Sequence, residues 1–235
     1  MQSKYYLTKI YCGKVKKRYG IETAIDKQPV TTNLYLSIEG LAGDECADKI
    51  HHGGLDRALH QYPSEHYAYW QDKYGANSMI SNADNDNKQT AGMGENLSSI
   101  GMTELTVCLG DRYQWGEAII EVSQPRSPCF KLNKRWDIEN LSIDMQGVSR
   151  CGWLYRVIQP GTVSVDEPLK LITRVTHAMT IAEVCEIFFG DPLNYEKLRV
   201  LKQQSTLSDS WMDKVKQRLA TNEIENWNFR LFDHT

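Results

Sequence analysis

The chain has 235 residues, 41% of them hydrophobic and 24% charged, an ordinary composition for a globular protein with a sizeable core. Twenty-seven Lys and Arg against thirty Asp and Glu give a formal net charge of −3, so no positive excess favours nucleic acid or an anionic lipid surface. The same composition excludes collagen, coiled coil and wholesale disorder.

In chain order, Thr31 to Ile38 (TTNLYLSI) alternates, with Leu34, Leu36 and Ile38 on one face of a half-buried strand. A helix opens at Pro63-Ser64-Glu65, the proline in its first turn, and runs to about Lys73. Ser81 to Gln89 (SNADNDNKQ) is a polar loop. Leu105 to Leu109 reads as a strand closed by Gly110-Asp111, and Arg112 to Trp115 with Ala118 to Ser123 flank Gly116-Glu117 as a hairpin. Leu154 to Ile158 and Thr162 to Val165 repeat that pattern across Pro160-Gly161, and Leu169 to Val175 adds another strand. Many short strands at such spacing predict a barrel or sandwich.

Near His177 the period changes. Thr180 and Glu183 form a capping-box pattern, followed at helical spacing by Ile181, Val184, Cys185 and Phe188. Asp191-Pro192 breaks the chain; Asn194 to Gln204 is a second helix with Leu198 and Leu201, and Ser208 to Ala220 a third with Trp211, Val215 and Leu219. These helices are too short to be stable alone and must pack on one another, on the strands or on a partner. The predicted organisation is a mainly β domain over residues 1–176 and a small three-helix domain with a tail over 177–235.

The opening MQSKYYLTKIYCGKVKKRYG lacks the apolar region of a secretion signal, and no stretch approaches the ~20 apolar residues of a membrane span. Six cysteines (Cys12, Cys46, Cys108, Cys129, Cys151 and Cys185) form no CxxC pair, which argues against a zinc ribbon or a thioredoxin-like site. Reduced thiols in a cytoplasm are the expectation, and Cys108, Cys151 and Cys185, in apolar contexts, read as packing.

His51-His52, His60 and His66 lack the i, i+4 pair with an intervening glutamate that a zinc protease helix requires; His60 reads as a strand residue. HHGGLDR also lacks the spacing of a phosphate loop. Its glycines predict a turn with positive φ that places Asp56 and Arg57. Gly92-Met93-Gly94-Glu95-Asn96 is a second glycine-rich segment, open to close ligand approach or a plain turn, with donors and an acceptor on Asn96.

The third segment, Ser123-Gln124-Pro125-Arg126-Ser127-Pro128-Cys129-Phe130-Lys131-Leu132, is the most informative. Two prolines make it a stiff loop after a strand. Cys129 stands between Arg126 and Lys131, whose charges favour the thiolate, and a thiolate on a rigid loop serves as a nucleophile or as a soft-metal ligand.

The runs GLAGDECADKIHHGGLDRALHQYPSEHY, GMGENLSSIGM, LGDRYQWGEAIIEVSQPRSPCFKL and GWLYRVIQPGTV, in this order, resemble the MOSC-domain family, and most of all its bacterial YiiM type, a MOSC domain followed by a small three-helix domain. The resemblance runs from about Tyr11 to about Leu219. It implies a MOSC-type β-barrel with a few helices, and binding of the molybdenum cofactor, a molybdenum held by the dithiolene of a pyranopterin (molybdopterin). It further implies that Cys129, by its position in the PRSPC loop, is the protein ligand to the metal. Arg57 and Arg126, then Ser127 and Lys131, are candidates for the cofactor's phosphate, and Asn96 and Asp56 for the pterin edge. The activity implied is reduction of N-hydroxylated compounds such as 6-hydroxylaminopurine and related hydroxylamines to amines, a detoxification. No flavin, nicotinamide or iron–sulfur pattern is present, so electrons come from a separate pyridine-nucleotide-dependent flavoprotein reductase. The three-helix domain would receive that donor or close a dimer. Sulfur transfer through a Cys129 persulfide and a non-catalytic cofactor carrier are the alternative readings.

Overall fold

The computed structural model describes residues 3–48, 52–75 and 91–232; the polar stretch Ser81 to Gln89 and His51 lie outside the described residues. The strands are β1 (Lys4–Tyr5), β2 (Leu7–Cys12), β3 (Lys16–Arg18), β4 (Ile21–Thr23), β5 (Gln28–Val30), β6 (Leu34–Ser37), β7 (Gly40–Leu41), β8 (Leu59–Pro63), β9 (Leu97–Ser99), β10 (Arg112–Trp115), β11 (Ala118–Pro125), β12 (Trp153–Gln159), β13 (Gly161–Val163) and β14 (Leu169–Thr173). Nine of them form one curled, half-barrel sheet in the order β1-β14-β10-β11-β12-β8-β9-β2-β5. Its pairs are antiparallel except β8 with β9, which run parallel. A three-stranded sheet β13-β6-β7 and a β3-β4 ribbon complete the strands.

The helices are α1 (His66–Tyr74), α2 (Phe130–Trp136), α3 (Leu141–Gly147), α4 (Ile181–Cys185, continued by a wide turn over Glu186–Gly190), α5 (Tyr195–Lys202), α6 (Asp209–Thr221) and α7 (Asn228–Leu231). None of the described helices is long and apolar enough to cross a membrane. The capping box forms as its spacing predicts: the Glu183 N–H donates to Thr180 Oγ1, and the Thr180 N–H donates to Glu183 Oε2. One core runs through both parts of the chain. Leu36, Leu59, Trp115, Ile120, Trp153 and Tyr155 from the strands are continuous with Ile181, Val184, Phe188, Leu201, Trp211 and Val215 from the helices. The helical segment therefore gains its stability from the sheet, as short helices must.

Four local expectations are corrected. Leu105 to Leu109 is not a strand: the N–H groups of Thr106 and Val107 both donate to Thr103 O, Leu105 is 76% exposed, and Cys108 makes only an isolated bridge to Thr180. The apolar run is a turn that delivers Val107 and Leu109 to the core. Pro63 ends β8, where it pairs with Ser99, and does not open α1. β12 and β13 do not pair as a hairpin; β13 crosses to β6. The loop after β11 is short, because α2 and α3 follow Cys129 directly. The hairpin of β10 and β11 stands as expected, with Gly116 at φ 55° in its turn.

Candidate active site

Sequence and sheet together place Cys129. β11 pairs with β12 up to Pro125, and the Arg126 N–H donates to Gly152 O, which anchors the start of the loop. Gly152 has φ 71°, and a Cβ there would stand 2.2 Å from Gln61 O, so close packing of β8 on β12 demands glycine. Pro125 and Pro128 stiffen the four residues between sheet and helix, and Cys129 then takes the extended N-cap position of α2, φ −139° and ψ 163°. α2 is locked from behind by buried Arg135, which donates to Ile25 O at 2.8 Å and to Ala91 O, and by Trp136 Nε1, which donates to Gly92 O.

Four of the six thiols are buried, and their environments set them apart. Burial raises Cys108, raises Cys185 strongly and lifts Cys151 to about 12, as expected of thiols used for packing. Burial also pushes Cys129 up, but a hydrogen bond and charge from His52, the Arg126 charge and the Lys131 N–H outweigh it, and its pKa falls to about 6. His52 is in turn held by Asp48, whose Oδ2 lies 3.1 Å from Nδ1 and 3.7 Å from Lys131 Nζ. A carboxylate, an imidazole and a thiol thus stand in series. In metal-free protein, the thiolate absorbance that distinguishes wild type from Cys129→Ala should be present at neutral pH and vanish as pH falls through about 6. A difference appearing only above pH 8 would contradict this environment.

The predicted site residues divide. Arg126, Ser127, Cys129 and Lys131 share the loop and the first turn of α2, and Arg57 lies near enough to Asp48 and Cys46 to feel both charges. Arg126 Nη1 is buried and has no hydrogen-bond partner among the described residues. Asp56 and Asn96 are engaged elsewhere. Asp56 Oδ1 accepts from Arg156 Nε at 2.6 Å. Asn96 Nδ2 donates to Asp44 Oδ2 at 2.7 Å, and its Oδ1 accepts the His60 N–H. His60 lies on β8, where burial and then the Arg126 charge lower its pKa to about 3, so it is neutral. The turn before Arg57 has Gly54 at φ 107°, as HHGG requires. Sequence reasoning missed Asp48, His52 and Arg230, which donates to Pro128 O and to Gln146 Oε1. The i, i+4 spacing of Asp48 and His52 was the available signal.

Surface cavities of about 520 and 270 Å³ lie beside α5–α6 and beside α3. Neither is lined by Cys129, so the site is identified by the chemistry of its side chains. No three His, Cys, Asp or Glu among the described residues converge to hold a metal ion. A metal at Cys129 would have to bring most of its ligands with it, and a soft metal already chelated by its own organic cofactor fits one thiolate beside the buried Arg126 Nη1, which has no hydrogen-bond partner among the described residues.

Comparison with known proteins places the chain in a family. A family model described as MOSC domain matches residues 48–170, and one described as YiiM-like, 3-alpha helix domain matches residues 179–222. The chain is similar to Protein YiiM of Escherichia coli (strain K12), 41% identical over 97% of this chain and 98% of that one. It is also similar to a protein of Gibberella moniliformis named Reductase, 30% identical over 92% of this chain and 37% of the fungal one. The crystal structure of YiiM from Escherichia coli matches with a TM-score of 0.81 at 37% identity, covering 98% of this chain and 100% of that chain.

Proposed function

The chain belongs to the MOSC-domain family, in the form that carries a YiiM-like three-helix domain, and from that premise we propose that it is a cytoplasmic, molybdenum-cofactor-dependent reductase of N-hydroxylated compounds. Hydroxylamino-purines and related hydroxylamines are the substrates, converted to amines as a detoxification. The observation that carries this reading is the Cys129 thiol, buried yet with its pKa lowered to about 6 beside the unpartnered Arg126 Nη1. MOSC domains are linked in general to the molybdenum cofactor, and a relative named Reductase lends support.

Bound at Cys129, the cofactor would supply two-electron redox chemistry at a sulfur-ligated metal. The chain's own residues prepare that position. His52 and the Lys131 N–H keep Cys129 in the ligating, deprotonated form. Asp48 Oδ2 accepts the Nδ1 proton of His52, which fixes the ring. Arg126 and Arg57 offer positive charge to the cofactor's phosphate, and Ser127 and Lys131 lie beside them. The burial of Cys129, 4% exposed, excludes bulk water from its sulfur. The overall reaction joins an N-hydroxy group, two electrons and two protons, breaks the N–O bond and yields an amine and water. A separate pyridine-nucleotide-dependent flavoprotein reductase supplies the electrons.

Cofactor-loaded protein should convert 6-hydroxylaminopurine to adenine with a chemically reduced viologen, and not with NADPH alone. Loaded protein that fails with the artificial donor would overturn the reading. The Asp48–His52–Cys129 series favours a second reading, sulfur transfer, because it is also how a nucleophilic cysteine is activated. That reading predicts a stable persulfide on Cys129, an added mass of one sulfur, in protein without molybdenum.

A further inference from the structure

We propose that Glu104, a buried acid outside the immediate surroundings of Cys129, is the positioning residue of the cysteine loop: braced by His66 and Arg150, it holds Gly152, and Gly152 holds the backbone that presents the thiol. The inference rests on the functional reading above only in taking Cys129 as the group that must be presented to a metal.

The contacts form an unbroken series. Glu104 is 4% exposed, and His66, at the start of α1, is 7% exposed. Glu104 Oε1 accepts the Gly152 N–H at 2.7 Å, and Oε2 lies 2.6 Å from His66 Nε2. Arg150 Nη1 stands 3.4 Å from His66 Nδ1. A guanidinium only donates, so Nδ1 accepts, and the ring proton on Nε2 is donated to the carboxyl group. Beyond Gly152, its carbonyl accepts the Arg126 N–H at 3.0 Å, between Pro125 and Pro128 and three residues before Cys129. The neighbours of Gly152 are held as well. Tyr62 OH donates to Arg150 O at 3.3 Å, and His60 Nε2 donates to Cys151 O at 3.4 Å. The backbone of Glu104 ties in the helical segment, because its carbonyl accepts the Ala182 N–H of α4 at 2.8 Å.

Burying an acid is costly, and a single backbone N–H needs only one neutral acceptor. What the carboxyl group adds is a second oxygen in the same plane. His66 takes that oxygen and so fixes the direction in which the first one meets Gly152. Without the acceptor, the Gly152 N–H is left buried and unsatisfied. Relief comes from a shift of Gly152, and Arg126 moves with it through their hydrogen bond. Pro125 and Pro128 leave the loop little freedom to absorb the shift, so it passes on to Cys129. A ligating sulfur has to be held within about 0.5 Å of its productive place, which makes the presentation of the thiol sensitive to a residue that does not touch it.

The test uses the full chain with Glu104→Leu, which keeps the size and removes both oxygens, and Glu104→Gln, which keeps an acceptor for Gly152. Residue-resolved hydrogen exchange is followed in metal-free protein, and molybdenum per chain is counted in protein from a cofactor-competent host. In Glu104→Leu the amides of Gly152 and Arg126 should exchange at least about tenfold faster, while those of Tyr113 and Ile120 in the β10–β11 hairpin keep their wild-type rates. Molybdenum per folded chain should fall about tenfold, and Glu104→Gln should restore both readouts most of the way. Wild-type exchange at Gly152 and Arg126 in folded Glu104→Leu overturns the proposal. So does faster exchange with undiminished metal, or acceleration shared equally by the hairpin, because Glu104 is then structural only. If Glu104→Leu does not fold, His66→Ala removes the brace alone. Faster exchange confined to Gly152 and Arg126 then supports the proposal, and unchanged exchange overturns it. Wild type that carries no molybdenum overturns the reductase reading instead, and the exchange at Gly152 and Arg126, measured without metal, decides this one in the same two directions.

Discussion

Cys129→Ser is expected to lower the reduction of 6-hydroxylaminopurine at least about a thousandfold, equivalent to about 4 kcal/mol in the barrier, with little change in the thermal transition. Serine keeps the shape and the N-cap position of residue 129, where no side-chain capping bond is made, so packing gives no reason for a large loss of stability. Its oxygen is a hard donor whose hydroxyl stays protonated where the thiol, with a pKa of about 6, does not. The contrast is Cys151→Ser. That thiol is fully buried, its pKa is pushed up to about 12, and its Sγ–H donates to Met145 O. Its replacement should cost stability and leave the activity per loaded molecule intact. Equal activity in wild type and Cys129→Ser, measured with a reduced viologen, would remove Cys129 from the chemistry.

The second large effect is on stability. Arg218→Ala should cost about 3 kcal/mol, a fall of roughly 6–12 °C in Tm for a chain of this size. Arg218 is 1% exposed, and every arm of its guanidinium is used. Nε and Nη2 donate to the two oxygens of Glu225 at 2.9 and 2.7 Å, and Nη1 donates to Phe188 O at 2.8 Å. The plane stacks 3.7 Å from the Phe188 ring centroid and 5.6 Å from that of Trp227. Removal leaves a buried carbonyl without its donor and a carboxylate that is 17% exposed without its partner. It also frees Trp227, whose Nε1 donates to the same Glu225 and whose carbonyl starts α7. Arg230 rides on α7, so the variant should lose pterin as well as stability. A change below about 1 kcal/mol in urea unfolding would show that this ion pair does not hold the C-terminal segment.

What the sequence disclosed follows from how local each signal is. The β10–β11 hairpin needs only alternation and a glycine turn, and the α4 capping box only Thr180 and Glu183. Both were readable within a few residues. α2 and α3 were missed because Pro125 and Pro128 read as punctuation and Cys129 is not a usual N-cap residue. Leu132 with Trp136 and Leu141 with Met145, each four apart and buried, carried the helical period. Leu105 to Leu109 misled in the opposite sense, since Thr103 folds the run into turns by accepting two N–H groups. Cys129 could be found because Arg126 and Lys131 sit beside it in sequence. Asp48, His52 and Arg230 reach the site from distant segments, and only folding shows that Asp56 and Asn96 are held by Arg156 and Asp44. Long-range pairing is the part of a site that one sequence read locally does not contain.

The central claim is that Cys129 binds a molybdenum cofactor. Its most direct test is the molybdenum and pterin content per chain of protein purified from a cofactor-competent host, wild type beside Cys129→Ala. Near-stoichiometric metal and pterin in the wild type, with loss of the metal in the variant, is the result expected. Equal metal in both proteins, or none in either, would contradict it.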